Sequence, residues 1–283
     1  MKKIILASTI LFFHSFVFGQ YVNKIDSTKT RIYIIGVVHS ENEYRNSDSL
    51  LNILRDLKPD LILSEHDTLS GYFKSDYRLV QPPKWYKAAS KLNIGRKMPP
   101  EMDLLYKYQE SNNSVLIYPF DIAIVNRKKY GANQQDKENL WIASLNSASK
   151  NNKMTDSILS YHKKYISYNN WFFEISQAGY FLMNRFIVTD SIRQMMKFEE
   201  EYFPKLFESV PTLAEYKEWH TENTKYWMVR NEVMAKNIIR FTKMTKAKKV
   251  VVFTGLLHKY ILKDLLNSYK SEEKYEVVEY FER

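Results

Sequence analysis

A chain of 283 residues with 45% hydrophobic residues, 21 Tyr and 16 Phe has ample material for a sizeable core, and suits one large domain or a domain with an insertion. It has no cysteine, which excludes disulfides, a thiolate nucleophile, thiolate metal ligands and a cysteine-borne lipid anchor. The formal charge of +10 comes from Lys and Arg spread along the whole chain, without zinc-finger or RNA-binding signatures, so no nucleic-acid partner is expected; a basic surface with weak attraction to anionic envelope surfaces fits better.

Residues 1–19 read as an export signal: Lys2 and Lys3 form a basic start, Ile4 to Phe18 is largely apolar, and Val17-Phe18-Gly19 offers a cleavage site before Gln20. A retained N-terminal anchor is the alternative. The expectation is an exported, periplasmic or extracellular protein in which residues 20–283 form one domain without a transmembrane span. Residues 31–37 form a first strand, continuous in apolar residues as a strand buried on both faces is. Leu50, Leu51, Ile53, Leu54 and Leu57 recur at helical spacing over 46–57, with Asn46 or Ser47 as cap and Pro59 as stop. Residues 61–65 repeat the buried-strand pattern, and this β-α-β run predicts a parallel pair. From Asp67 to Pro100 the pattern loosens around Pro82-Pro83 and Pro99-Pro100 and reads as a loop or lid.

A helix over 101–110 precedes a third strand at 114–121. Residues 133–244 carry almost no strand signal and read as several aromatic-rich helices, the last near 223–244. A fourth strand at 248–254, a helix over 259–269 and a terminal strand at 275–281 complete the chain. The expected fold class is α/β: a central, at least partly parallel sheet flanked by helices, with a large helical insertion near 133–244.

Two copies of one pattern stand out. Arg31-Ile-Tyr-Ile-Ile-Gly36-Val-Val-His39 and Lys249-Val-Val-Val-Phe-Thr-Gly255-Leu-Leu-His258 both run a buried strand into Gly, two aliphatics and His. With only 7 Gly and 6 His in the chain, two such patterns that both close a strand argue against coincidence. Glu65 ends its own strand in the same way. Parallel neighbours would project His39, Glu65 and His258 from one carboxyl edge of the sheet. Two imidazoles and a carboxylate suit a divalent metal (Zn, Mn or Co) that would supply hydroxide at neutral pH. The same trio also suits metal-free chemistry, with Glu orienting a His base. Glu43 and Glu41 are candidates for a further ligand or base, and Asp121 for the site or a turn. Arg230, inside an amphipathic helix, suits either a solvated face or an anionic intermediate. His66 is expected to point away, and His162 and His220 to be solvated.

The ordered set Gly-Val-Val-His39, Leu-Ile-Leu-Ser-Glu65, Arg230-Asn-Glu-Val-Met-Ala235 and Val-Val-Phe-Thr-Gly-Leu-Leu-His258 resembles the TraB/TIKI family. That family belongs to a wider group with erythromycin esterases and ChaN-like proteins. The resemblance implies an α/β domain with a helical insertion and, in members of known activity, a metal-dependent hydrolase site, with peptide hydrolysis in Tiki-type proteases. It matches His39, Glu65, Arg230 and His258 to the family's two Gly-x-x-His motifs, acidic residue and arginine. Val37 departs from the acidic residue that the esterase branch carries after the first Gly, and from the Thr of many TraB-type members, while Glu43 sits where the esterase branch also places a Glu. The implied function is a hydrolase of ester or peptide bonds acting on a small-molecule or peptide substrate. The rival reading is a ChaN-like protein that holds haem or iron through His or Tyr, or a non-catalytic envelope protein.

Overall fold

The computed structural model describes residues 29–40, 42–81, 99–123, 127–270 and 274–282. The expected signal segment, Glu41 and residues 82–98 of the 67–100 loop lie outside the described residues.

Five strands, β1 (Thr30–Val37), β2 (Leu61–Ser64), β3 (Leu116–Pro119), β4 (Lys249–Gly255) and β5 (Tyr275–Val278), form one sheet in the order β3-β2-β4-β1-β5, with every pairing parallel. The continuous apolar runs divide between two faces by their alternation. Ile32 and Ile34 of β1, Leu61 and Leu63 of β2, and Val250 and Val252 of β4 face one core; Tyr33, Ile35, Ile62, Val251 and Phe253 face the other.

The second core is closed by α1 (Ser47–Leu57) and α2 (Pro100–Ser111). Asn46 caps α1 by accepting from the Ser49 amide at 2.9 Å, and Lys58 ends it in the left-handed region at φ 49°, just before Pro59. The first core is closed by α7 (Lys217–Thr245), through Met234, Ala235, Ile238 and Phe241, and by Leu262 and Leu266 of α8 (Leu256–Tyr269).

Between β3 and β4 the described chain is helical. It runs through α3 (Arg127–Lys150), α4 (Asp156–Ser176), the short α5 (Tyr180–Met183), α6 (Phe186–Ser209) and a 3₁₀ turn at Pro211–Tyr216 before α7. The expected helical insertion is therefore present, and it has an aromatic core of its own around Trp141, Tyr202, Phe203 and Phe207. No helix among the described residues is long and apolar enough to cross a membrane.

Two expectations need correction. β1 and β2 are parallel but not paired, because β4, from the far end of the chain, lies between them and bonds to both. A crossover helix fixes direction and leaves room for a later strand. The second correction concerns His162, which is 5% exposed, its Nδ1 sharing a 2.9 Å hydrogen bond with the Tyr202 hydroxyl. Helical periodicity does not reveal which polar side chain finds a buried partner.

The β1 edge carries one further device. β5 pairs with β1 only as far as Tyr33, and beyond it the Asn184 side chain continues the ladder. Its Oδ1 accepts from the Gly36 amide at 2.6 Å and its Nδ2 donates to the Gly36 carbonyl at 2.8 Å. A Cβ on Gly36 would lie 2.8 Å from Leu256 Cδ1 and 3.3 Å from both Asn184 Oδ1 and Leu256 Cα, whereas a Cβ on Gly255 would meet only ordinary contacts at 3.4 Å and beyond. Gly36→Ala is expected to lower stability by about 1–3 kcal/mol through overpacking. Gly255→Ala is expected to cost at most about 1 kcal/mol. Urea unfolding of the two variants measures both, and equal losses would contradict the close approach at Gly36.

Candidate active site

The carboxyl ends of β1, β2, β3 and β4 deliver His39, Glu65, Asp121 and Gly255 to one edge of the sheet, and α7 lays Arg230 across them. Trp227, Arg230 and Asn231 share one face of α7 by their i, i+3, i+4 spacing, in line with the buried Met234 and Ile238.

Arg230 is the hub. Its Nε donates to Asp121 Oδ1 and its Nη2 to Asp121 Oδ2, each at 2.9 Å; Nη2 also donates to Glu65 Oε1 at 2.8 Å, and Nη1 to His258 Nε2 at 3.2 Å. Four of the five guanidinium N–H groups are thereby directed, leaving one on Nη1. The Asp121 and Glu65 side chains are only 0% and 8% exposed. Burial lowers the Arg230 pKa but the two carboxylates outweigh it, so the group is held charged.

Glu65 is equally committed. Its Oε2 accepts from Thr254 Oγ1 at 2.6 Å and from the Gly255 amide at 2.5 Å. Such a carboxylate holds the ends of β2 and β4 together.

His258 is in the third position of α8, which starts directly after Gly255, and not in a loop before a helix at 259. Asn231 Nδ2 donates to the Trp227 carbonyl at 2.7 Å, so Asn231 Oδ1 is the acceptor for His258 Nδ1 at 2.7 Å. The proton therefore sits on Nδ1, and the Nε2 lone pair faces the Arg230 N–H. The Trp227 indole stacks on the ring at 4.0 Å. Burial drives the His258 pKa down to about 4, with Glu65 opposing and Arg230 reinforcing the shift.

His39 behaves in the opposite way. It follows β1 in a loop with 55% of its side chain exposed, and its Nδ1 shares a 2.6 Å hydrogen bond with Glu101 Oε1. That bond raises the His39 pKa above 6.5 against the effect of burial, with Glu101 and Glu65 adding and Arg230 opposing. Glu101 lies in the first turn of α2, where a carboxylate is favoured by the helix dipole, and its side chain is 4% exposed. Burial raises the Glu101 pKa, yet His39 holds it below the usual carboxylate range. Its Oε2 is buried with no hydrogen-bond partner among the described residues. The site thus pairs an accessible, basic imidazole with an enclosed, neutral one.

Of the expected residues, the structure brings His39, Glu65, Asp121, Arg230 and His258 into one electrostatic cluster. Glu43 is exposed in the Asn42–Arg45 turn and has no hydrogen bond or ion pair to these residues. His66 bonds to Ser64 Oγ at 2.8 Å and packs edge-on to Tyr72, and burial lowers its pKa; it borders the cluster through the charges of Glu101 and Glu65. Glu101, Asn231, Thr254 and Trp227 escape sequence reading. The one visible signal is Glu101 itself, an acidic residue directly after Pro99-Pro100 at a helix start.

The donors of His39, Glu65 and His258 are chemically suited to a divalent ion, but as arranged here they do not fit one. A guanidinium sits on Glu65 Oε1 and His258 Nε2, the two atoms an ion would share, which leaves His39 Nε2, on the ring whose Nδ1 bonds Glu101, as the one nitrogen of the trio still available. Among the described residues no group of three or more His, Asp or Glu side chains is arranged to hold a metal.

Imidazole NMR titration is expected to find His258 in the Nδ1–H form with a midpoint near 4 and His39 with a midpoint above 6.5. A buried base with a depressed pKa stabilises the fold above 6.5 and loses that contribution as pH falls towards 4. A His258 midpoint at or above 6.5 would contradict the arrangement.

No family model matches the chain, and no curated protein or solved structure is significantly similar to it.

Proposed function

We propose that this protein is a hydrolase of ester or peptide bonds in which His39, oriented by Glu101, is the general base towards water. The observation that carries this reading is the His39–Glu101 pair. A buried carboxylate on Nδ1 fixes the tautomer, leaves Nε2 towards solvent and substrate, and raises the basicity of the ring above its ordinary value. Beside it, Arg230 supplies a fixed positive charge and one undirected N–H, the provision needed where negative charge grows on a carbonyl oxygen.

In this reading His39 Nε2 takes a proton from water as the water attacks the substrate carbonyl, and then returns it to the leaving oxygen or nitrogen. Arg230 stabilises the tetrahedral oxyanion. His258, neutral at working pH, keeps Nη1 in place without competing for the proton. Glu65 and Asp121 hold the guanidinium and are positioning residues. The resemblance of the four motifs to the TraB/TIKI family supports the hydrolase class, while the Arg230 geometry favours the metal-free version of the chemistry.

The test is a screen of activated esters and peptide amides with purified protein, with and without chelator and with added Zn, Mn or Co. Hydrolysis that survives chelation is expected. His39→Asn is expected to lower kcat about 10²–10⁴-fold. Glu101→Gln is expected to move the acid limb of the kcat/KM profile to lower pH, because it removes the bond that raises the His39 pKa. Arg230→Lys keeps the charge but loses the planar fork, and should lower kcat more than it raises KM. Full activity in His39→Asn would sink the proposal. Activity abolished by chelator and restored by metal would put an ion on His39, Glu65 and His258 instead.

A further inference from the structure

A second concavity lies in the helical block. α6, α7 and the start of α8 border a half-open cavity of about 410 Å³, within the usual size range of small-molecule sites. Met196, Phe203, Phe207, Trp227 and Met228 give it apolar walls. His220, expected to be solvated, instead packs at 4.3 Å on the Phe203 ring and lines the same space.

Four charged residues also line it: Glu200, Lys217 and Lys225 are exposed, and Glu199 is the half-buried one. Glu199 projects from α6 into the cavity and has no hydrogen bond or ion pair among the described residues. Glu199 is half-buried, so water is the present partner of its carboxylate, beside apolar walls that weaken that solvation. A ligand that brought a protonated amine to Glu199 and an apolar body to the aromatic walls would supply both charge and donor, and the ring faces themselves favour a cation.

We propose that this cavity binds amphiphilic amines, an aromatic or aliphatic body carrying a protonated amino group, with Glu199 as the counter-ion. His39, Glu101 and Arg230 do not line the cavity, so this inference stands apart from the hydrolytic reading. The two sites share the Trp227 wall, whose indole also stacks on His258.

Burial alone pushes the Glu199 carboxyl up to about 7, so amine binding should weaken as pH falls through that range. The groups facing it are compatible with this. Tyr165 of α4 and Tyr260 of α8 are both raised to about 12 and stay neutral. Burial lowers the His220 pKa, keeping that ring neutral above 6.5, and Lys217, Lys225 and Glu200 at the cavity rim are exposed.

Calorimetry on the folded chain with 4-phenylbutylamine, 4-phenylbutan-1-ol and 4-phenylbutyrate tests the proposal. At pH 8.5 the amine is expected to bind about tenfold more tightly than the alcohol, and the carboxylate most weakly. The amine's advantage should shrink between pH 8.5 and 6 while alcohol binding stays constant. Glu199→Gln should bring the amine down to the alcohol's affinity and abolish the pH dependence. Met196→Trp, which fills the cavity, should weaken both ligands. Equal binding of amine and alcohol, binding of neither, an amine preference that survives Glu199→Gln, or full binding in Met196→Trp would each overturn it.

Discussion

The guanidinium of Arg230 joins parts of the chain that the sequence keeps far apart. It lies on Asp121 after β3, on Glu65 after β2 and on His258 after β4, and it is carried by the helix that covers one face of the sheet. Because both carboxylates are buried, removing the cation would leave two uncompensated charges, a change that costs about 3–5 kcal/mol in comparable buried pairs. A well-packed apolar replacement of the whole cluster could match its stability, so the value of the cluster lies in what it specifies. It fixes the ends of β2, β3 and β4 and the inner face of α7 relative to one another, and its N–H against the His258 lone pair adds to the burial that keeps that ring neutral.

The two Gly-x-x-His motifs end in different surroundings. In the first, Gly36 lets Leu256 and the Asn184 amide approach β1 closely, and His39 is left in an exposed loop beside Glu101. In the second, the Gly255 amide binds Glu65, a helix starts at once, and His258 is drawn under Trp227 and against Arg230. One imidazole is made more basic and reachable, the other less basic and enclosed. An acid–base site needs groups whose environments push their pKa values apart, and here the divergence arises from burial on one side and a carboxylate partner on the other.

The strands were legible because a strand buried on both faces must be continuously apolar, and the charged residues at their ends stand out against that background. His39, Glu65, Asp121 and His258 could be named for this reason, whereas Arg230, inside a helix, stands out only within the ordered set of motifs. Strand order was not legible: local β-α-β reasoning joins β1 to β2, and nothing near residue 60 announces that residues 249–255 will come between them. Glu101 was hidden because its role depends on where α2 is set against the β1 loop. Asn231 and Asn184 were hidden because a buried amide looks like any polar residue until its partners are known. His162 and His220 were misread for the same reason, since helical spacing places a residue on a face without saying what packs against it.

A crystal structure of the protein grown with excess Mn²⁺ or Zn²⁺ at neutral pH, with anomalous data, distinguishes a guanidinium-centred site from a metal-centred one. The expected result is the Arg230 guanidinium between Glu65 and His258, His39 Nδ1 on Glu101, and no anomalous peak within coordination distance of the histidines. A metal peak ligated by His39, Glu65 and His258, with Arg230 displaced, would contradict it.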